Sequence, residues 1–83
     1  MYELVINITG HDIVGTVGKS YVHAEREDAY ADLGKRFANA MMKAQGNPVL
    51  KVELLDPMEV AGFKSTLAAD GSWLTIEYAI YAI

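Results

Sequence analysis

Cysteine is absent from the 83-residue sequence, histidine occurs only twice, and no apolar run is long. Without cysteine the chain can form neither a disulfide framework nor a zinc site with thiolate ligands. A helix that spans a bilayer needs roughly 18–20 apolar residues, and a signal peptide needs a basic start and an apolar stretch; the sequence has neither. We therefore expect a cytoplasmic protein that makes no membrane contact, folded as a single small domain over residues 1–83.

Basic residues are also few. Lysine and arginine number seven against eleven acidic residues, which gives a formal net charge of −4. The basic residues are spread along the chain, at Lys19, Arg26, Lys35, Arg36, Lys43, Lys51 and Lys64. Because no basic cluster offsets the negative charge, nucleic-acid binding is not expected. Hydrophobic residues make up 52% of the sequence, which predicts a folded domain rather than a disordered segment.

The first part of the chain has the period of β-structure. In residues 2–9, "YELVINIT", apolar and polar side chains alternate, which predicts a strand with one buried face. A turn is expected at residues 10–12. Residues 13–23 are rich in Val, Ile, Thr and Tyr, and they predict the returning strand of a hairpin.

Residues 25–45 change to the period of an α-helix. Acidic residues concentrate at the start of this segment and basic residues later, which is the order that the helix dipole favours. Gly46 is suited to the left-handed position that often ends a helix. The pattern predicts an amphipathic helix, whose apolar stripe consists of Tyr30, Leu33, Phe37, Ala40, Met41 and Ala44.

The segment 57–69 fits two structures. Asp56 as N-cap, Pro57 at the first helical position and Glu59 in a capping box favour a second helix. The alternative is a hairpin that turns at residues 70–71, "DG". Residues 48–55, "PVLKVELL", and residues 72–83 are expected to be strands, so the sequence predicts a two-layer α+β fold. It has about four strands, antiparallel or mixed, in the order ββαβ(α)β, with the main helix on one face.

Residues 18–20, "GKS", match the end of a phosphate-binding loop. That motif needs a glycine five positions before Gly18, where this sequence has Ile13, and a helix directly after Ser20. The residues after Ser20 have strand character instead. Nucleotide binding is therefore not expected.

The two histidines offer the remaining chemistry. His11 beside Asp12 fits a polar turn, and His23 with Glu25 and Glu27 stands where a helix begins, so a metal site is not expected. No nucleophile lies near both a histidine and an acid in the sequence. We expect a protein that is not an enzyme and that uses no cofactor.

The last strand has an unusual second face. Leu74, Ile76, Tyr78 and Ile80 alternate as an inward row, but the opposite row also becomes apolar toward residue 83. A strand with two apolar faces is either central and covered, or covered by another chain at its face or edge. We expect a contact with a protein partner or a second copy, most often a homodimer, through Trp73, Ala79, Tyr81 and Ile83.

Acidic residues at the helix start are a second candidate contact. Glu25, Glu27, Asp28 and Asp32 could imitate nucleic-acid phosphates, although the helix dipole also explains them. By composition alone the chain resembles the small acidic inhibitors that phages and mobile elements direct at host enzymes or defence complexes, anti-CRISPR proteins included. We therefore predict a non-catalytic protein-interaction module, with an inhibitor of this kind as its more specific form. The alternatives are a small-ligand or metal-binding domain that uses His11, His23 and Glu25, or an enzyme with a site at a subunit interface.

Overall fold

The computed structural model describes residues 1–56, 58 and 60–83. One helix packs on one face of a five-stranded antiparallel sheet whose spatial order is β2-β1-β5-β4-β3. Among the described residues, no helix is both long and apolar enough to cross a bilayer. The elements in chain order are β1 Tyr2–Gly10, β2 Val17–His23, α1 Arg26–Ala44, β3 Leu50–Leu54, β4 Ala61–Ala69 and β5 Ser72–Ala82.

Strand β5 lies at the centre of the sheet, between β1 and β4. Its register places Ile80 opposite Leu4 and Tyr78 opposite both Ile6 and Phe63. A central strand has no free backbone edge, so the hypothesis that β5 extends the sheet through its own edge is wrong. The free edges belong to β2 and β3.

The core forms where α1 crosses the sheet. Leu4, Ile6 and Ile80 pack with Ala29 of α1, and all four are buried. Beside them, Phe63 stacks on Tyr78 with ring centroids 4.4 Å apart. Phe37 of α1 meets the edge of Phe63 at 5.2 Å. These aromatic contacts join the helix to β4 and β5.

Of the two structures that fit the segment 57–69, the hairpin is confirmed from Ala61 onward, and the helix alternative is wrong there. Strand β4 continues through a turn in which Asp70 and Gly71 both have positive φ. The sheet therefore has five strands rather than about four, and the order is ββαβββ. Asp56 accepts a hydrogen bond from the backbone N–H of Met58 in a turn, and the roles predicted for Pro57 and Glu59 lie outside the described residues.

The predicted helix is confirmed to within one residue at each end, and Gly46 has the expected left-handed φ of 73°. Its buried stripe is rotated from the predicted one. Ala29 is fully buried, whereas Tyr30 and Met41 are 39% and 49% exposed. The helix turns Ala29 toward the sheet because the sheet side chains beneath α1 are large. A small helix residue at this point lets the helix approach the sheet most closely.

Gly62 marks a close approach on the face of the sheet opposite α1. A Cβ at this position would overlap the backbone carbonyl oxygen of Tyr78 and lie 3.0 Å from Cα of Ala79. The side chain of Leu55, which follows β3, lies at 2.9 Å from the same point. Glycine is required here by space rather than by backbone conformation.

We expect Gly62→Ala to lower the free energy of unfolding by roughly 3 kcal/mol, because the added methyl has no room. Gly34→Ala is the matched control. Nothing lies within 4 Å of a Cβ at Gly34, which is inside α1, so the same substitution should raise stability by about 0.5–1 kcal/mol. Urea denaturation of the two variants checks this, and equal effects of the two would contradict the packing described for Gly62.

We expect Phe63→Ala to lower the free energy of unfolding by about 3–5 kcal/mol, because its ring is fully buried between two aromatic partners. Phe37→Ala should cost less, roughly 2–3 kcal/mol, because Phe37 is only half-buried. Met42→Ala on the exposed side of α1 should change stability by less than about 0.5 kcal/mol. Urea midpoints in the reverse order would show that the core is assigned wrongly.

Candidate functional site

In the described residues, α1 covers one face of the sheet and no helix covers the other face, which we call the open face. Because side chains alternate along a strand, the even-numbered residues of β1 and β5 lie on the side of the sheet that α1 covers and the odd-numbered ones lie on the open face. This confirms the two rows predicted for the last strand. Tyr81 and Trp73 are both on the open face.

Exposed apolar side chains gather at one end of the open face. Tyr81 and Val22 stand on either side of Glu3, which pairs with both across the sheet. Met1 and Ile83 form the next pair toward this end of the sheet. Two backbone hydrogen bonds, with N···O distances of 2.9 and 3.2 Å, join them. The open-face patch consists of Met1, Val22, Tyr81 and Ile83, which are 65%, 53%, 45% and 61% exposed.

The contact residues predicted on β5 do not form one surface. Tyr81 and Ile83 belong to the open-face patch. Trp73 is 44% exposed but stands eight residues along the strand from Tyr81, which is about 27 Å. Ala79 is only 2% exposed, since it sits beside Gly62 and under Leu55, and it offers no surface to a partner.

The predicted acidic set is also divided. Glu25, Glu27 and Asp28 are exposed at the start of α1. Asp32 faces the sheet instead, where it accepts a hydrogen bond from Arg36 Nε at 2.9 Å and lies 3.0 Å from His23 Nε2. Asp32 thereby ties α1 to the end of β2, and it is not part of an exposed acidic surface.

The partners of Asp32 decide its charge. Burial alone would raise the pKa of Asp32, but the hydrogen bonds from His23 and Arg36 favour the carboxylate, and the net result is a lowered pKa. For Arg36, burial acts to lower the pKa and the carboxylate of Asp32 raises it, with a net increase. The guanidinium of Arg36 also lies 4.9 Å from the ring centroid of Tyr21 on β2. This cluster is a structural clamp between α1 and the edge strand.

His11 and His23 do not come together. His11 follows the end of β1 at Gly10, whereas His23 pairs with Tyr2 at the other end, about 27 Å away along the strand. The ligand site suggested for His11, His23 and Glu25 is therefore not assembled. In the part of the chain that the structure describes, no three His, Asp or Glu side chains are grouped as a metal site would need. Strand continues after Ser20, as predicted, so the helix of a phosphate-binding loop does not follow it.

A groove under the second half of α1 is a feature that sequence reasoning missed. It has a volume of about 320 Å³ and lies between Arg36, Ala40 and Lys43 of the helix and the apolar side chains of the sheet. The one sequence feature that could have indicated the groove is Ala40, a small residue within the predicted apolar stripe of the helix. We call this space the helix groove.

We expect Asp32→Asn to destabilise the protein at neutral pH in a pH-dependent way. A carboxylate with a lowered pKa in the folded state contributes stability that is present above its ordinary pKa of 3.8 and is lost as the pH falls through the lowered value. Urea midpoints of wild type and variant should therefore differ above pH 3.8 and converge only when the pH has fallen below the lowered pKa of Asp32. Asp12→Asn, in an exposed turn, is the control; an equal and pH-independent loss in both variants would contradict the clamp.

Comparison with protein-family models, with curated proteins and with solved structures finds no match to this chain.

Proposed function

We propose that this protein is a non-catalytic protein-interaction module that associates with a second copy of itself through the open face. The observation that carries the proposal is the open-face patch. Four apolar side chains, each at least 45% exposed, gather on a sheet face that has no covering helix. Apolar groups clustered in this way mark interaction sites more often than scattered ones do.

The open face is large enough for a stable interface. The molecule measures 41 × 29 × 21 Å, and the two longer dimensions fit the plane of the sheet, with the shortest across the sheet and α1. A stable complex buries about 800 Å² on each partner, which is less than the area of that plane. One copy can therefore cover the open-face patch of another with surface left over.

The open face carries charges of both signs away from the patch. Glu3 on β1 lies between Tyr81 and Val22, whereas Lys64 on β4 pairs with Glu77 of β5 on one side and with an acidic residue of β3 on the other. Apart from Glu3, the charged residues of the open face lie at least four residues along the strands from Tyr81. A contact with a second copy at the patch would therefore be mainly apolar.

The polar chemistry supports a non-catalytic role. Among the described residues, His23, Asp32 and Arg36 bind one another, and of these three only Arg36 lines a cavity, the helix groove. An active site would need such groups within reach of a substrate. An inhibitory action on a host enzyme, which composition suggests, stays a prediction, as does any part played by Glu25, Glu27 and Asp28.

The test is the substitution Tyr81→Lys, which places a charge in the open-face patch. Wild type should have twice the 9.1 kDa mass of one chain in light scattering, and Tyr81→Lys should shift to the single-chain mass while its circular dichroism stays unchanged. Tyr30→Lys is the matched control, because Tyr30 is exposed to a similar degree on the helix side and its substitution should leave the dimer intact.

A wild-type protein that is a monomer at high micromolar concentration would overturn self-association. If that monomer instead captures one identified protein, and Tyr81→Lys but not Tyr30→Lys abolishes the capture, the open face binds a different partner. If neither association depends on Tyr81, the open face is not the interaction surface.

A further inference from the structure

The helix groove has an apolar floor and one polar wall. Arg36, Asn39 and Lys43 follow one another at intervals of three and four residues, so they line the same side of α1 over about two turns. The floor is made by side chains of the sheet, among them Leu67 and Leu74. The groove therefore combines apolar surface with cationic and amide groups along one side.

The groove exists because the second half of α1 presents small side chains. In the first half, Leu33 and Phe37 fill the space between helix and sheet. In the second half Ala40 takes their place, and Leu67 beneath it stays 40% exposed although it points to the helix side. An apolar floor of this kind gains free energy when an apolar ligand removes it from water.

A second cavity of about 250 Å³ continues the groove. The two share Leu67 and Leu74, and the second extends beyond the end of α1 toward Ile13 and Gly10. A ligand with a longer apolar chain can therefore extend from the helix groove into the second cavity. This favours an elongated ligand over a compact one.

The charges of the helix groove are both positive. Arg36 gives its Nε–H to Asp32 and is partly neutralised by it. Lys43 stands at the other end, and among the described residues no ion pair of Lys43 is recorded. An anionic group would therefore be attracted to the Lys43 end, where the amide of Asn39 can donate a hydrogen bond.

We propose that the helix groove binds a monomeric aliphatic carboxylate, with the carboxylate at Lys43 and the hydrocarbon chain over Leu67 and Leu74. The volume of 320 Å³ is about ten times the ~30 Å³ that a water molecule occupies in the liquid. This suits a chain of about ten carbons, and the adjoining cavity suits a longer one. The site lies on the opposite face of the sheet from the open-face patch.

The experiment is a titration of ¹⁵N-labelled protein with sodium decanoate below its micellar concentration, followed by amide chemical shifts. We expect saturable shifts at residues of the groove, such as Ala40, Leu67 and Leu74, with a dissociation constant below about 1 mM. Decyltrimethylammonium, which has the same chain and the opposite charge, should bind at least about fivefold more weakly.

Two variants and one control separate the effect of charge on binding from the effect of groove shape. Lys43→Gln should weaken decanoate binding about fivefold, as expected for one solvent-exposed ion pair, while Lys35→Gln removes the same charge outside the groove and should leave binding unchanged. Ala40→Leu should fill the groove and abolish binding. A melting temperature of Ala40→Leu that is equal to or above that of wild type would show that the lost binding is not caused by unfolding.

The proposal is overturned if decanoate causes no saturable shifts, or if the shifts map to the open-face patch. It is also overturned if decyltrimethylammonium binds as tightly as decanoate, or if Lys35→Gln weakens binding as much as Lys43→Gln does. Co-sedimentation of the protein with anionic phospholipid vesicles, without binding of monomeric decanoate, would assign the groove to a membrane surface instead.

Discussion

The antiparallel pairing of β1 with β5 joins strands from opposite ends of the sequence and places both at the middle of the sheet. Their register puts Leu4 opposite Ile80 and Ile6 opposite Tyr78 on the side that α1 covers. The same register puts Glu3 opposite Tyr81 on the other side. Because side chains alternate along both strands, a shift of one residue would exchange the core with the open face. Both proposed surfaces depend on this register.

One helix is too small to cover a five-stranded sheet. It follows a diagonal, from the end of β2 at His23 to the start of β3 at Leu50, and the Asp32 clamp fixes its first half against the edge strand. Two regions remain in contact with water. One is the open face, and the other is the helix groove beneath Ala40. A two-layer domain of this size has little core, so its uncovered apolar surface is the feature most open to a functional use.

Sequence periodicity predicted the helix and both rows of β5, because these depend on the spacing of apolar residues within a single element. It left residues 57–69 open between a helix and a hairpin, and the helix alternative is wrong from Ala61 onward. Val60, Phe63 and Leu67 are spaced like the stripe of a helix, yet Phe63 and Leu67 also share one face of a strand. The choice was made by pairing with β5, which buries Phe63 against Tyr78, and by the close approach at Gly62. A pattern within one segment does not contain that information.

Local patterns along the chain were enough to predict the α+β composition, the amphipathic helix and the alternation that gives the sheet an inward and an outward face. These follow from local periods of 3.6 and 2 residues. Packing between elements was needed to place β5 at the centre, to bury Ala79, to pair Asp32 with His23 and Arg36, and to open a groove beneath Ala40. Each of these joins residues from different elements. Such contacts are selected by how whole elements pack together, and the free energy of that packing is not a property of any one segment.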